Sequence, residues 1–176
     1  MEKELVVKEY SSENKTQVLE LILHIQQKEY GIAITKEDQP DLFMIEDYYQ
    51  KGNGNFWVAL YGREVVGTIS LLDIGNQHVA LRKMFVQKEF RGATFKTASL
   101  LLQTALRWAK ERSMEIVYLG TTEQFLAAHR FYEKNGFTPI EMNELPKTFP
   151  VLQVDRKFYK YVVSGRDYRM GYSARL

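Results

Sequence analysis

The sequence predicts a mixed α/β domain built on one sheet with helices on both faces. Three observations carry this. Strand-like runs joined by short turns follow one another from Phe56 to Val86, a long amphipathic helix comes next, and strands alternate with a helix from there to Val163. The 176 residues are 45% hydrophobic and 26% charged, enough for a buried core and outside the range of disordered or fibrous chains. Residues 1–163 are expected to form one domain, with 164–176 as a C-terminal tail.

The elements follow in order. Leu5-Val6-Val7, within Lys3 to Tyr10, reads as a first strand. Ser11-Ser12-Glu13-Asn14 supplies capping side chains for a helix with apolar positions Val18, Leu21, Ile22 and Ile25. Pro40 suits the first turn of a second helix carrying Leu42, Phe43, Ile45 and Tyr49. After the breaker cluster Gly52-Asn53-Gly54-Asn55, Phe56–Leu60 and Val65–Leu72 form a hairpin through Tyr61-Gly62-Arg63-Glu64. Gly75-Asn76 turns the chain into His78–Val86, completing an antiparallel meander. Ala98, Leu101, Leu102, Ala105, Leu106 and Ala109 mark the longest helix. Ile116–Leu119 is a short strand, Glu123–Lys134 a helix closed by Asn135-Gly136, and Phe137–Met142 and Val151–Val163 the last strands.

Charge and composition exclude several functions. The net charge of +2 comes from 24 basic against 22 acidic residues, too balanced for a nucleic-acid or membrane-surface specialist. The tail's three arginines against Asp167 account for the whole surplus. Phe85, Phe90, Phe95 and Trp108 also lack the compact spacing of an RNA-stacking motif. The absence of cysteine removes thiolate metal sites and cysteine nucleophiles, and suits a reducing compartment. His24, His78 and His129 share no metal-ligand spacing, so no metal is expected. With no signal-peptide pattern and no apolar run of about 18 residues, the expectation is a cytoplasmic domain with no membrane partner.

Two stretches carry chemistry. Arg91-Gly92-Ala93-Thr94-Phe95-Lys96-Thr97 joins a strand end to the long helix. Free amides and the positive dipole end make such a junction an anion site, and Arg91 and Lys96 add charge for phosphate oxygens. The spacing is neither that of a Walker loop nor that of a dinucleotide fingerprint. Between Arg82 and Arg112 eight basic residues face Glu89 and Glu111, whereas Lys36 to Asp47 holds five acids against one lysine. A polyphosphate at the first segment and a cationic ligand at Glu37, Asp38 or Asp41 would fit this separation.

The second stretch is Ala127-Ala128-His129-Arg130-Phe131-Tyr132-Glu133-Lys134-Asn135-Gly136-Phe137. Ala128, Phe131, Tyr132, Gly136 and Phe137 match the A-x-x-F-Y-x-x-x-G-F signature, and here the chain resembles the GNAT-type N-acetyltransferases. Leu81–Val86 followed by Arg91-Gly92 and the long helix resembles the same family's strand-and-loop motif, so the likeness covers residues 3–163.

The resemblance implies a sheet splayed between its fourth and fifth strands, with acetyl-CoA as cosubstrate in the splay. It assigns Phe85 and Val86 main-chain pairing with the pantetheine arm, and Arg91, Gly92, Ala93, Thr94, Phe95, Lys96 and Thr97 the pyrophosphate. It makes Tyr132 the proton donor to the departing thiolate, which suits a phenol with a pKa near 10. The loop departs from the family at Thr94 and Lys96, where glycines are usual, and Phe125 stands where asparagine is frequent. The implied activity is acetyl transfer to a primary amine of a small molecule or peptide by direct attack in a ternary complex. The alternative is a non-catalytic acyl-CoA-binding module with a degenerate phosphate loop. The base stays open among Asp73, His78, Glu37, Asp38 and a water held by Thr121 or Thr122. Edge strands near the C-terminus leave room for a homodimer.

Overall fold

In the computed structural model, which describes residues 2–163, β1 (Leu5–Glu9) lies antiparallel to β2 (Asn55–Tyr61), pairing Leu5 with Tyr61 and Glu9 with Trp57. The tail at 164–176, expected as an appendage, lies outside the described residues. Glu64–Gly75 (β3) returns antiparallel to β2, with a register shift at Ala59/Leu60. The sheet continues with β4 (His78–Val86), β5 (Ile116–Thr121), β6 (Thr138–Ile140) and β7 (Lys157–Val162) in the order β1-β2-β3-β4-β5-β7-β6. β4 and β5 pair in parallel over only His78–Ala80 and Ile116–Tyr118. The pairs β1–β2, β2–β3, β5–β7 and β6–β7 are antiparallel.

The flanking helices are α1 (Lys15–Leu23), α2 (Ile45–Tyr48), α3 (Thr97–Glu111) and α4 (Leu126–Lys134). The described chain divides into two compact units. One runs to Asp73 and adds Leu81–Ala105; the other takes Ile74–Ala80 and the residues from Leu106 on.

In the first unit, Asn14 accepts the Ser11 amide at 3.0 Å, and Val18, Ile22 and Ile25 recur at helical spacing as a buried stripe. Val18 and Ile22 pack with Tyr10, Leu42, Ile45, Tyr49, Phe56 and Val58. After Leu23 the helix widens into a π-turn, His24–Glu29, closed by the Tyr30 amide on the Ile25 carbonyl at 3.1 Å. Gly67 lets α3 pack tightly: a Cβ there would stand 3.0 Å from Leu101 Cδ1 and 3.2 Å from the Phe85 carbonyl.

In the second unit β5 pairs along its whole length with β7, and β7 with β6. Tyr132, Phe137, Phe158 and Tyr159 are buried there.

The element order expected from sequence holds, and the boundaries differ for local reasons. The second helix is a 3₁₀ turn, Pro40–Phe43, and then α2, because Met44 breaks the helical path at φ −143° and ψ 47°. The expected strand Val151–Val163 begins only at Lys157, since Asp155 folds the preceding residues into a turn by accepting the Leu152 amide at 2.9 Å. The strand after Gly136 ends at Ile140, where Glu144 accepts the Glu141 amide and starts a 3₁₀ turn. Helix α4 starts at Leu126 rather than Glu123, after a turn in which the Phe125 amide bonds the Thr122 carbonyl.

Candidate active site

The second half of β4 and the loop after it lie in the first unit. Val86 is buried, and its carbonyl accepts the Arg91 Nε at 2.8 Å. Arg91 also forms a two-pronged ion pair with Glu29, one arm at 2.8 Å. The Arg91 hydrogen bond holds the Glu29 carboxyl below the usual carboxylate range, outweighing partial burial, and raises the Arg91 guanidinium in turn. Arg91, expected as a phosphate ligand, therefore holds the loop closed at its base. Gly92 (φ 95°), Ala93 and Thr94 are exposed, whereas Phe95 packs on Phe90 (4.7 Å) and Tyr61 (5.5 Å).

Lys96 sits in the left-handed region at φ 54°, the conformation glycine adopts freely. The loop thus keeps a glycine-like shape at a residue that has a Cβ. Its side chain is exposed and its amide bonds the Gly92 carbonyl at 3.1 Å. Thr97 opens α3 fully buried, and its hydroxyl has no partner among the described residues. With the first-turn amides, which have no intrahelical acceptor, this orphaned hydroxyl fits an anionic group at the helix start.

Tyr132 lies in the second unit on α4, 5% exposed, against Phe131 (5.8 Å), Phe137 (5.5 Å) and Tyr159 (6.0 Å). Burial, and then the neighbouring Tyr159, push its hydroxyl well above the ordinary tyrosine range. None of the hydrogen bonds among the described residues engages that hydroxyl. The Tyr159 hydroxyl, by contrast, donates to Glu133 Oε2 at 2.6 Å.

The acidic stretch expected to attract a cationic amine has internal partners. Asp38 accepts the Thr35 amide and hydroxyl, each at 3.0 Å, which holds its carboxyl below the ordinary range, while Glu37 is exposed. Asp41 is buried, accepts the Tyr49 hydroxyl at 2.5 Å and lies 3.6 Å from Lys83 Nζ. Lys83 is buried too and donates to Gln39 Oε1 at 2.5 Å. Gln39 exchanges two amide hydrogen bonds with Gln26, on the π-turn.

This network did not emerge from the sequence, where Arg82 and Lys83 read simply as part of a basic run. Their signal was a pair of cations inside an otherwise apolar strand. β4 is irregular at this point. Lys83 has φ 57°, and the carbonyls of Arg82 and Lys83 accept the side-chain hydroxyls of Ser70 (2.7 Å) and Thr68 (2.6 Å).

Several of the candidate bases have local partners. Asp73 accepts the Asn53 amide at 3.0 Å and side chain at 3.1 Å, and the His78 ring stands edge-on to Tyr118. Thr121 and Thr122 are buried, and the Thr122 carbonyl lies 3.0 Å from His129 Nε2. Among the described residues no three His, Asp or Glu side chains gather as metal ligands, and no helix is long and apolar enough to cross a membrane.

Comparison with known proteins adds to this geometry. Residues 19–137 match the model of the acetyltransferase (GNAT) family. A Danio rerio protein named N-acetylaspartate synthetase is 36% identical over 106 residues, covering 59% of this chain and 37% of its own length. The chain thus spans little more than a third of that relative. A GNAT-family acetyltransferase from Staphylococcus aureus superposes with a TM-score of 0.88 at 39% identity, covering 91% of this chain and 99% of its own. An N-acetyltransferase from Thermoplasma acidophilum in complex with coenzyme A has the same fold, with a TM-score of 0.69 at 16% identity over 90% of this chain and 98% of its own.

Proposed function

The chain belongs to the GNAT acetyltransferase family, and we propose that it moves an acetyl group from acetyl-CoA to a primary amine of a small molecule by direct attack in a ternary complex. The observation that carries this reading is the Tyr132 hydroxyl, buried, firmly protonated and bonded to no described residue. Aminolysis of a thioester leaves a thiolate that needs a proton. Tyr132 holds one at every physiological pH. A thiolate formed in the same desolvated surroundings gains proton affinity as well, which narrows the gap the transfer must cross.

Acetyl-CoA supplies the activated acetyl group. The start of α3 would hold its pyrophosphate through first-turn amides, the Thr97 hydroxyl and the Lys96 charge, with Gly92 and Lys96 setting the loop's shape. Main-chain groups at Phe85 and Val86 would line the pantetheine arm, and Arg91 would fix the loop through Val86 and Glu29 rather than meet phosphate. The protein supplies position and electrostatics, with no covalent acyl-enzyme on a cysteine, since the chain has none. The name of the Danio rerio relative puts amino acids first among the acceptors to try.

Thiol release from acetyl-CoA over a panel of amines, beside calorimetric titration with CoA, tests the proposal. Acceptor-dependent thiol release is expected. CoA binding without turnover on any amine would favour the non-catalytic acyl-CoA-binding module instead.

A further inference from the structure

The described structure handles two guanidinium groups differently. Arg91 is closed off by a carboxylate of its own chain, taking both oxygens of Glu29. Arg82, half-buried on β4, has no such partner. One of its nitrogens donates to the Tyr48 hydroxyl at 3.1 Å, and its remaining donors meet no acceptor among the described residues. The rings of Tyr48 and Tyr49 flank it at 5.7 and 6.0 Å. Aromatic walls around a planar fork with unmet donors form a receptor for a planar anion.

The charge balance points the same way. Asp41, a carboxylate that bears on Arg82, already accepts from Tyr49 and faces Lys83. Burial works against the Arg82 charge, but the Asp41 carboxylate and the Tyr48 hydrogen bond favour it and the guanidinium stays ionised. Arg82 is thus a partly desolvated charged fork whose open donors a carboxylate would complete.

Position connects this receptor to the reaction. If phosphates sit at the start of α3 and the pantetheine arm passes Val86 and Phe85, the arm's reactive end reaches back along β4 toward Lys83 and Arg82. Three residues of strand, roughly 10 Å, separate Arg82 from Phe85.

We propose that Arg82 anchors a carboxylate of the acceptor, so that the amine acetylated belongs to an amino acid or a similar molecule with a free carboxylate. This rests on the acetyltransferase reading above. It also disfavours polyamines, whose charge Arg82 would repel.

The test measures binding of N-acetyl-L-aspartate, N-acetyl-L-leucine and their amides by calorimetry, with and without CoA, so it needs no turnover. At least one acid is expected to bind tenfold or more tightly than its amide. Arg82→Gln should abolish that difference and Arg82→Lys keep part of it, with CoA affinity unchanged. Preference for the leucine derivative's acid identifies the α-carboxylate. Preference for the aspartate derivative alone identifies the side-chain carboxylate. Equal binding of acids and amides, or a preference that survives in Arg82→Gln, overturns the inference. Failure to bind CoA or release thiol counts instead against the acetyltransferase reading, and the binding comparison stays readable.

Discussion

Tyr49 and Tyr132 are both buried and both hold their protons well above the ordinary range, yet they are set up for different work. The Tyr49 hydroxyl donates to Asp41 at 2.5 Å inside a network that also takes in Lys83 and Gln39. The Tyr132 hydroxyl is surrounded by aromatic rings and donates to no described residue. Burial is the largest reason each stays protonated, with Asp41 adding to it at Tyr49 and Tyr159 at Tyr132. The partner decides whether the proton is part of the architecture or available to a ligand. A sequence shows two tyrosines near apolar residues in both cases.

Substitution can sharpen that contrast. Tyr132→Phe is expected to lower kcat by about 10² or more, the usual loss for a general acid. Its melting temperature and CoA affinity should barely move, because no protein hydrogen bond is lost; full activity would remove Tyr132 from the role. Tyr49→Phe should do the reverse, costing about 1–3 kcal/mol in denaturant unfolding by leaving a buried Asp41 acceptor short of its donor. Equal stability losses at the two positions would break the comparison.

Alkaline titration probes the two together. A folded pKa above the unfolded value near 10 leaves stability intact below about pH 10 and erodes it as pH rises through the folded value. Unfolding should therefore ease above about pH 10 in the wild type, and less steeply in either phenylalanine variant. Lys96→Gly should stabilise by about 0.5–1 kcal/mol, since glycine relieves the left-handed backbone but loosens the unfolded chain.

The smallest effect is expected at Glu29→Gln, about 0.5 kcal/mol, because the Arg91 and Glu29 side chains are 34% and 21% exposed. Glu29 has a depressed pKa, so its contribution is present at neutral pH and lost as pH falls below about 4.5. An acid-side stability curve in which the two proteins converge would confirm the sign.

Elements governed by periodicity were legible in the sequence. β4 and α3 lie where alternation and the 3.6-residue repeat place them, and the Phe131-Tyr132 motif marked α4. What escaped were features made by side chains far apart in the chain. Asp41 looked like a surface acid until Tyr49 and Lys83, 42 residues away from it, closed over it. Arg91 looked like a free cation until Glu29, 62 residues earlier, took it. Local pattern reports which way a face points, and charge pairing across the fold decides which charges remain for a ligand. The turn at Asp155 and the break at Met44 were hidden for a simpler reason: each depends on one side chain or one dihedral pair rather than on a repeat.

The π-turn at His24–Glu29 has a consequence for how this fold tolerates change. A turn closed five residues back rather than four holds one residue more than an α-helix of the same rise, so it behaves as an insertion stored within a helix. Deleting that surplus would let the turn close as an ordinary α-helical one, with little change in the direction of the residues beyond it. Gln26 and Glu29, which lie in the turn itself, reach Gln39 and Arg91 from that widened geometry. Reading-frame-preserving indels are usually absorbed in loops; here the helix itself has room to lose one residue within His24–Glu29.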